Sequence, residues 1–134
     1  MISVLDTTAF SAAMRNEPEM VRFLSGIKPG NVATVPPVVA EIEYGIRRLD
    51  NTSKKYALLA AQKERLLTVI RVLPWDEQSS VNFGSIKADL EKTGTPIDDF
   101  DAAIAAIAMS HDAEVLTANL THFQIIKGLA SRHW

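Results

Sequence analysis

Thr95-Pro96-Ile97-Asp98-Asp99-Phe100-Asp101-Ala102-Ala103-Ile104-Ala105-Ala106-Ile107-Ala108-Met109 sets three aspartates directly against the most apolar run in the chain. Ala102 to Met109 carry no polar side chain on any face, the pattern of a helix buried in the middle of a domain rather than lying on its surface. Asp98 stands where a carboxylate caps a helix start, and Asp101 falls in the first turn, near the positive end of the dipole. One reading of the pair is an Asp-x-x-Asp cap. The other follows from the helical period: Asp101 shares a face with Ile104, Ala105 and Ala108 and so points where they point. A carboxylate there needs a cation, donors or a proton.

Working outward from this helix, Ala113–Thr117 reads as a strand, followed by Asn119, a turn of helix over Thr121–Ile126 and an edge strand within Gly128–Trp134. Upstream, Asp76 reads as the N-cap of a helix whose buried side is Phe83, Ile86 and Leu90 and which Gly94 ends. Val72–Trp75 is a short strand. Before it Thr52 or Ser53 caps a helix over Lys54–Arg71, with Leu59, Leu66 and Ile70 inward and Lys54, Lys55, Lys63 and Arg65 solvated. Asn31–Val35 is a strand that runs into Pro36-Pro37, which start a helix through Leu49. Ile2–Leu5 is the first strand; Thr7 or Thr8 caps the helix through Met14, and a second short helix covers Glu17–Ile27.

Strands alternating with helices at this spacing predict one α/β domain over residues 1–134, with a parallel central sheet of four to five short strands and helices on both faces. Right-handed crossovers align the carboxyl ends of the strands along one edge, where open α/β sheets bind ligands. Asp6 and Asn119 follow strands, while Glu41 and Asp101 are expected in the first turns of helices leaving that edge. Four polar groups are thus expected in one pocket. On the Pro36 helix Glu43 and Arg47 suit an exposed ion pair, whereas Glu41 lies on the opposite side beside Val38 and Gly45. Gly45 costs about 1 kcal/mol against alanine, which a close approach by another backbone or a ligand would explain.

Fourteen Lys and Arg against 16 Asp and Glu give a net charge of −2, without the basic excess that advertises nucleic-acid binding. There is no cysteine, so disulfides and thiolate zinc sites are excluded. The longest apolar run, Ala102 to Met109, falls far short of the roughly 20 residues that span a bilayer. Met1–Leu5 lacks the basic start of a signal peptide, and the expected location is the cytoplasm.

Three carboxylates about 5 Å apart would repel by roughly 3 kcal/mol per pair at an effective dielectric near 20, so something positive should sit among Asp6, Glu41 and Asp101. Hard oxygen ligands without histidine or cysteine favour Mg²⁺ or Mn²⁺, held directly or through water. That chemistry suits attack of a metal-activated water on a phosphodiester.

Val4-Leu5-Asp6-Thr7-Thr8, Val39-Ala40-Glu41-Ile42-Glu43-Tyr44-Gly45, Pro96-Ile97-Asp98-Asp99-Phe100-Asp101-Ala102-Ala103-Ile104-Ala105 and Leu116-Thr117-Ala118-Asn119 before Phe123 together resemble the PIN-domain ribonucleases, and more closely the VapC toxins of type II toxin-antitoxin modules. The match runs through essentially the whole chain in order. The resemblance implies a PIN-like three-layer fold and a Mg²⁺-dependent endoribonuclease, usually dimeric and inhibited by a cognate antitoxin. Its acidic positions fall on Asp6, Glu41 and Asp101, with Asn119 at the fourth. Thr8 stands where the family often has asparagine, and Asn119 where it frequently has aspartate. With three carboxylates one ion is expected rather than two.

Thr7 and Thr117 are candidate hydroxyl partners for the site, or ordinary caps and turn hydroxyls. Arg47, Arg48, Lys54 and Lys55 are candidates for steering RNA phosphates, or simply a solvated surface. His111, His122 and His133 do not space as a metal set and are expected at the surface or in caps. Other classes fit less well: a phospho-receiver module wants an acidic pair after the first strand, where Asp6 is followed by two threonines. A catalytically silent PIN-like binding domain and a DNA nuclease of the same superfamily remain as alternatives.

Overall fold

The computed structural model describes Met1–Trp134. Five strands, β1 (Ser3–Leu5), β2 (Val32–Thr34), β3 (Arg71–Val72), β4 (Glu114–Leu116) and β5 (Ser131–Arg132), form one sheet in the order β3-β2-β1-β4-β5. Every neighbouring pair is parallel, with Ser3 opposite both Val32 and Glu114, and Leu5 opposite Leu116. The central strands are buried along their length, as a sheet covered on both faces requires.

Seven helices connect them: α1 (Thr7–Met14), α2 (Pro18–Ser25), α3 (Pro36–Arg47), α4 (Lys54–Val69), α5 (Glu77–Lys92), α6 (Asp99–Ser110) and α7 (Leu120–Phe123). The chain steps outward from β1 through β2 to β3 and then returns to β4 on the other side of β1, so right-handed crossovers put α1 to α4 on one face and α5 to α7 on the other. The packing follows this division, with α1, α3 and α4 touching one another and α6 touching α5 and α7, while α3 and α6, the helices that carry Glu41 and Asp101, also touch. Thirty buried residues make one core, with Phe10, Ile104, Ile107, Leu116 and Phe123 among its fully buried side chains. Every residue from Ala102 to Ala108 is buried, as an all-apolar helix face demands. No helix is long and apolar enough to cross a membrane.

Local chemistry explains most boundaries. Ser53 caps α4 through a bond from Tyr56 N, and Pro36 and Pro37 open α3. Gly94 follows α5 at φ 71°, the left-handed conformation in which Thr95 N reaches Leu90 O at 2.9 Å. Several expectations are corrected. Asp6, not Thr7 or Thr8, caps α1. The fourth helix ends at Val69, and the strand after it is Arg71–Val72 rather than Val72–Trp75, because Pro74 has no N–H to offer a ladder. Asn31 ends a 3₁₀ turn (Pro29–Asn31), which leaves β2 to begin at Val32. Lys63 is drawn in rather than solvated: its side chain is 14% exposed and its Nζ donates to Glu43, which also accepts from Arg47 Nε at 2.8 Å.

Candidate functional site

β1 and β4 are adjacent strands whose onward connections leave in opposite directions, which opens a crevice at their carboxyl ends. The two ends are stitched together: Asp6 N donates to Leu116 O at 3.1 Å, and Ala118 N donates to Thr8 Oγ1 at 2.9 Å. Asp6 sits in this crevice at 2% exposure. Its Oδ1 accepts from Ala9 N at 2.9 Å and from Thr8 Oγ1 at 2.6 Å, so the cap that starts α1 also fixes the carboxylate.

Glu41 comes from the second turn of α3, one turn later than expected, and its Oε1 accepts from Thr7 Oγ1 at 2.6 Å. Asp101 comes from the first turn of α6, where Asp98 is the cap and accepts from Phe100 N at 2.8 Å. Asp101 Oδ2 is bonded to His122 Nδ1 at 3.0 Å, and its side chain is 19% exposed. Each of the three carboxylates therefore has one oxygen pinned and the other, Asp6 Oδ2, Glu41 Oε2 and Asp101 Oδ1, without a hydrogen bond.

The charges feel one another. Burial raises the Glu41 pKa above the ordinary carboxylate value, Thr7 opposes the rise, and Asp101, Asp98 and Asp6 add to it. Burial likewise raises Asp101, opposed by His122 and reinforced by Asp98 and Asp6. Asp98 thus belongs to the electrostatics of the site as well as to the helix start. The donor set, all oxygen with free lone pairs and excess negative charge, fits a hard divalent cation. As placed, no three of the acidic and imidazole groups stand close enough to hold one ion together. A Mg²⁺ ion keeps several waters and needs only one or two carboxylates directly, so the fit is to a partly hydrated ion.

Asn119 is the N-cap residue of α7 and is exposed, with no capping bond from its side chain. Thr117 is fully buried and its Oγ1 accepts from Asn119 N at 2.8 Å, so it holds the turn that presents Asn119. Beside Glu41 a cleft of about 520 Å³ runs between α1, α3 and α4, lined among others by Thr7, Gly45, Arg15, Arg48 and Lys55. A Cβ added at Gly45 would meet nothing within 4 Å, so no backbone approaches there and the glycine instead widens the cleft. Of the expected basic residues, Arg48 and Lys55 line the cleft; Arg47 is tied to Glu43, and Lys54 lies outside the lining.

The sequence reading missed Arg15 and His122. Arg15 ends α1 and lines the cleft while its guanidinium donates to Glu17 at 3.1 Å, whereas His122 sits three residues past Asn119, one helical turn from a site position. His111 bonds Pro74 O at 3.0 Å instead, far in sequence from any acidic position of the site. The largest cavity, about 730 Å³, is lined by residues of α5 and of the segment Ile125–Lys127 and contains no member of the acidic group, so the chemistry and not the volume locates the site.

The PIN domain family model matches residues 3–127. The tRNA(fMet)-specific endonuclease VapC of Salmonella typhimurium is 28% identical over 131 residues, covering 98% of this chain and 96% of that protein. Ribonuclease VapC1 of Rickettsia felis is 31% identical over 100 residues, covering 75% of this chain and 74% of that one. Among solved structures, VapBC-1 from nontypeable Haemophilus influenzae superposes with a TM-score of 0.85 at 29% identity, over 100% of this chain and 98% of that chain. With the acidic crevice at the switch point of a parallel five-stranded sheet and a family match over nearly the whole length, the chain belongs to the PIN-domain family, among its VapC-like members.

Proposed function

We propose that this chain is a Mg²⁺-dependent endoribonuclease, able to use Mn²⁺ instead, that acts in the cytoplasm as the toxin of a toxin-antitoxin pair. A single domain over residues 1–134 carries the activity and pairs as a homodimer. The observation that supports this best is the group of three carboxylates, each with one oxygen pinned by the chain and one left free, at the end of the sheet. The ribonuclease names of the relatives and the VapBC assembly of the structural neighbour point the same way.

In this reading Asp6, Glu41 and Asp101 hold the ion, directly or through water, while Asn119 offers a neutral amide to the substrate. A bound Mg²⁺ supplies charge neutralisation for the phosphodiester and activates the attacking water. Thr7 and Thr8 keep Glu41 and Asp6 in place, and Thr117 holds the turn before Asn119. Arg48 and Lys55 draw RNA phosphates along the cleft toward Glu41. The partner is an antitoxin encoded beside this gene, which places an Arg or Lys near the three carboxylates, where a charge-assisted bond is strong.

Purified protein incubated with total cellular RNA, single-stranded DNA and duplex DNA, with Mg²⁺ or with EDTA, tests the activity. Discrete RNA cleavage that requires the ion is the expected result. RNA binding without cleavage would indicate a silent binding domain, and cleavage confined to DNA would indicate the other nuclease class. Expression of the chain alone should arrest growth, and co-expression of its neighbour should restore it.

A further inference from the structure

His122 shares no metal-type spacing with His111 and His133, yet it is the imidazole that touches the acidic group, 3.0 Å from Asp101 Oδ2 through Nδ1. A carboxylate offers only lone pairs, so Nδ1 carries the hydrogen and donates. The donor is presented from backbone held independently of Asp101. Phe123, the next residue, is fully buried, Ile126 beyond it is buried too, and His122 N donates to Asn119 O at 3.0 Å.

Asp101 has its backbone locked in the first turn of α6, where Ala102 N donates to Asp98 O at 3.0 Å. What remains free is rotation of the carboxyl group about its side-chain bonds. Left alone, it would turn away from Asp6, Asp98 and Glu41, all of the same charge, toward solvent. A fixed donor on Oδ2 opposes that rotation and leaves Oδ1 unbonded on the other side.

We infer that His122 is a positioning residue: through Nδ1 it fixes the orientation of Asp101, so that Oδ1 stays available to a partly hydrated ion at the acidic group. The inference rests on the metal-dependent reading above. Outer donors of this kind orient the ligand while touching neither substrate nor ion. A packing role is a poor account of the contact, because the His122 side chain is 51% exposed and α7 is anchored by Phe123 instead.

Three variants of the full chain separate the possibilities. An asparagine side chain puts its amide nitrogen near the position of Nδ1, a glutamine carries it one bond farther, and alanine has no donor. Mn²⁺ affinity is measured by calorimetry without RNA, kcat and KM on an RNA substrate, and the unfolding temperature in EDTA. His122→Ala should weaken Mn²⁺ binding and lower kcat by roughly 10- to 100-fold, with KM changed by less than about threefold and the unfolding temperature unchanged. His122→Asn should recover most of the affinity and His122→Gln little of it. Wild-type Mn²⁺ affinity in His122→Ala, or an Asn variant as weak as the Ala variant, would overturn the assignment. A wild-type chain that binds no Mn²⁺ would instead remove the metal-dependent reading, and this inference with it.

Discussion

Glu41 and Asp101 bind their protons more tightly than ordinary carboxylates, first through burial and then through their acidic neighbours. Between the ordinary value and the raised one, the native state holds more protons than the unfolded chain, so these two groups lower stability as pH rises through that window. Glu41→Gln and Asp101→Asn should therefore unfold at the same or a higher temperature than the parent in EDTA at pH 7. That advantage should shrink as the pH falls toward 4 and the native carboxyls protonate. On the proposed function, both should lose about 100-fold or more in Mg²⁺-dependent cleavage, beyond the usual cost of disturbing an outer partner. Melting curves at both pH values, set beside cleavage rates, check the two halves together. Lower stability of both variants in EDTA at pH 7 would contradict the repulsion argument. Both positions were legible in the sequence as polar residues on apolar faces. Their partners Thr7 and His122, 34 and 21 residues away, became definite only in space.

At the scale of elements, one side chain ties the start of α5 to the end of α6, beside the Asn82 bond to Ala106 O and the Lys87–Asp99 pair along the same two helices. Asp76 caps α5 by accepting from Ser79 N at 2.8 Å, and its own N–H donates in return to Ser79 Oγ at 3.2 Å. The same carboxylate accepts from Ser110 Oγ, at the last residue of α6, at 2.6 Å. Ser110 first and Ser79 second push its pKa down to about 2. A lowered carboxylate stabilises the fold above its unfolded value and loses that contribution as pH falls through the folded one. Asp76→Ala should accordingly melt below the parent at pH 7, and the gap should narrow below about pH 4 and close near pH 2. Ser110→Ala should reproduce part of the loss at pH 7; an unchanged melting temperature would show that the bond to α6 contributes nothing. The cap itself was readable from Asp76 before an apolar-periodic helix. Its second bond was not, because Ser110 lies 34 residues downstream.

Across the molecule, the edge strand β5 has only two residues in the ladder, and a side-chain pair reinforces it. Arg132 Nε donates to Glu114 at 2.7 and 3.1 Å, and its guanidinium lies 4.7 Å from the centre of the Phe23 ring. The Glu114 side chain is 9% exposed, so removing its partner strands a charge, while the half-exposed arginine lets water compensate in part. Arg132→Ala should cost about 1–3 kcal/mol in denaturant unfolding. Adding Glu114→Met should restore much of it, since the stranded charge is then gone. A double variant no more stable than the single one would assign the loss to the Phe23 contact instead.

The kinds and order of the elements, most caps and the three acidic positions were determined by sequence alone. They depend on period and on neighbours within about four residues, information that a linear chain carries in full. The two-residue length of β3 and β5, the entry of Lys63 into the fold and the turning of Arg15 toward the cleft depend instead on which distant segments meet. Asp6 belongs to both cases: its place after a strand and its cap on α1, made with Thr8 and Ala9, are local, whereas its burial in the crevice and its bond from N to Leu116 O came only once β1 paired with β4. Packing decided these features, because a side chain 20 or 30 residues away becomes a neighbour only when the sheet brings it there.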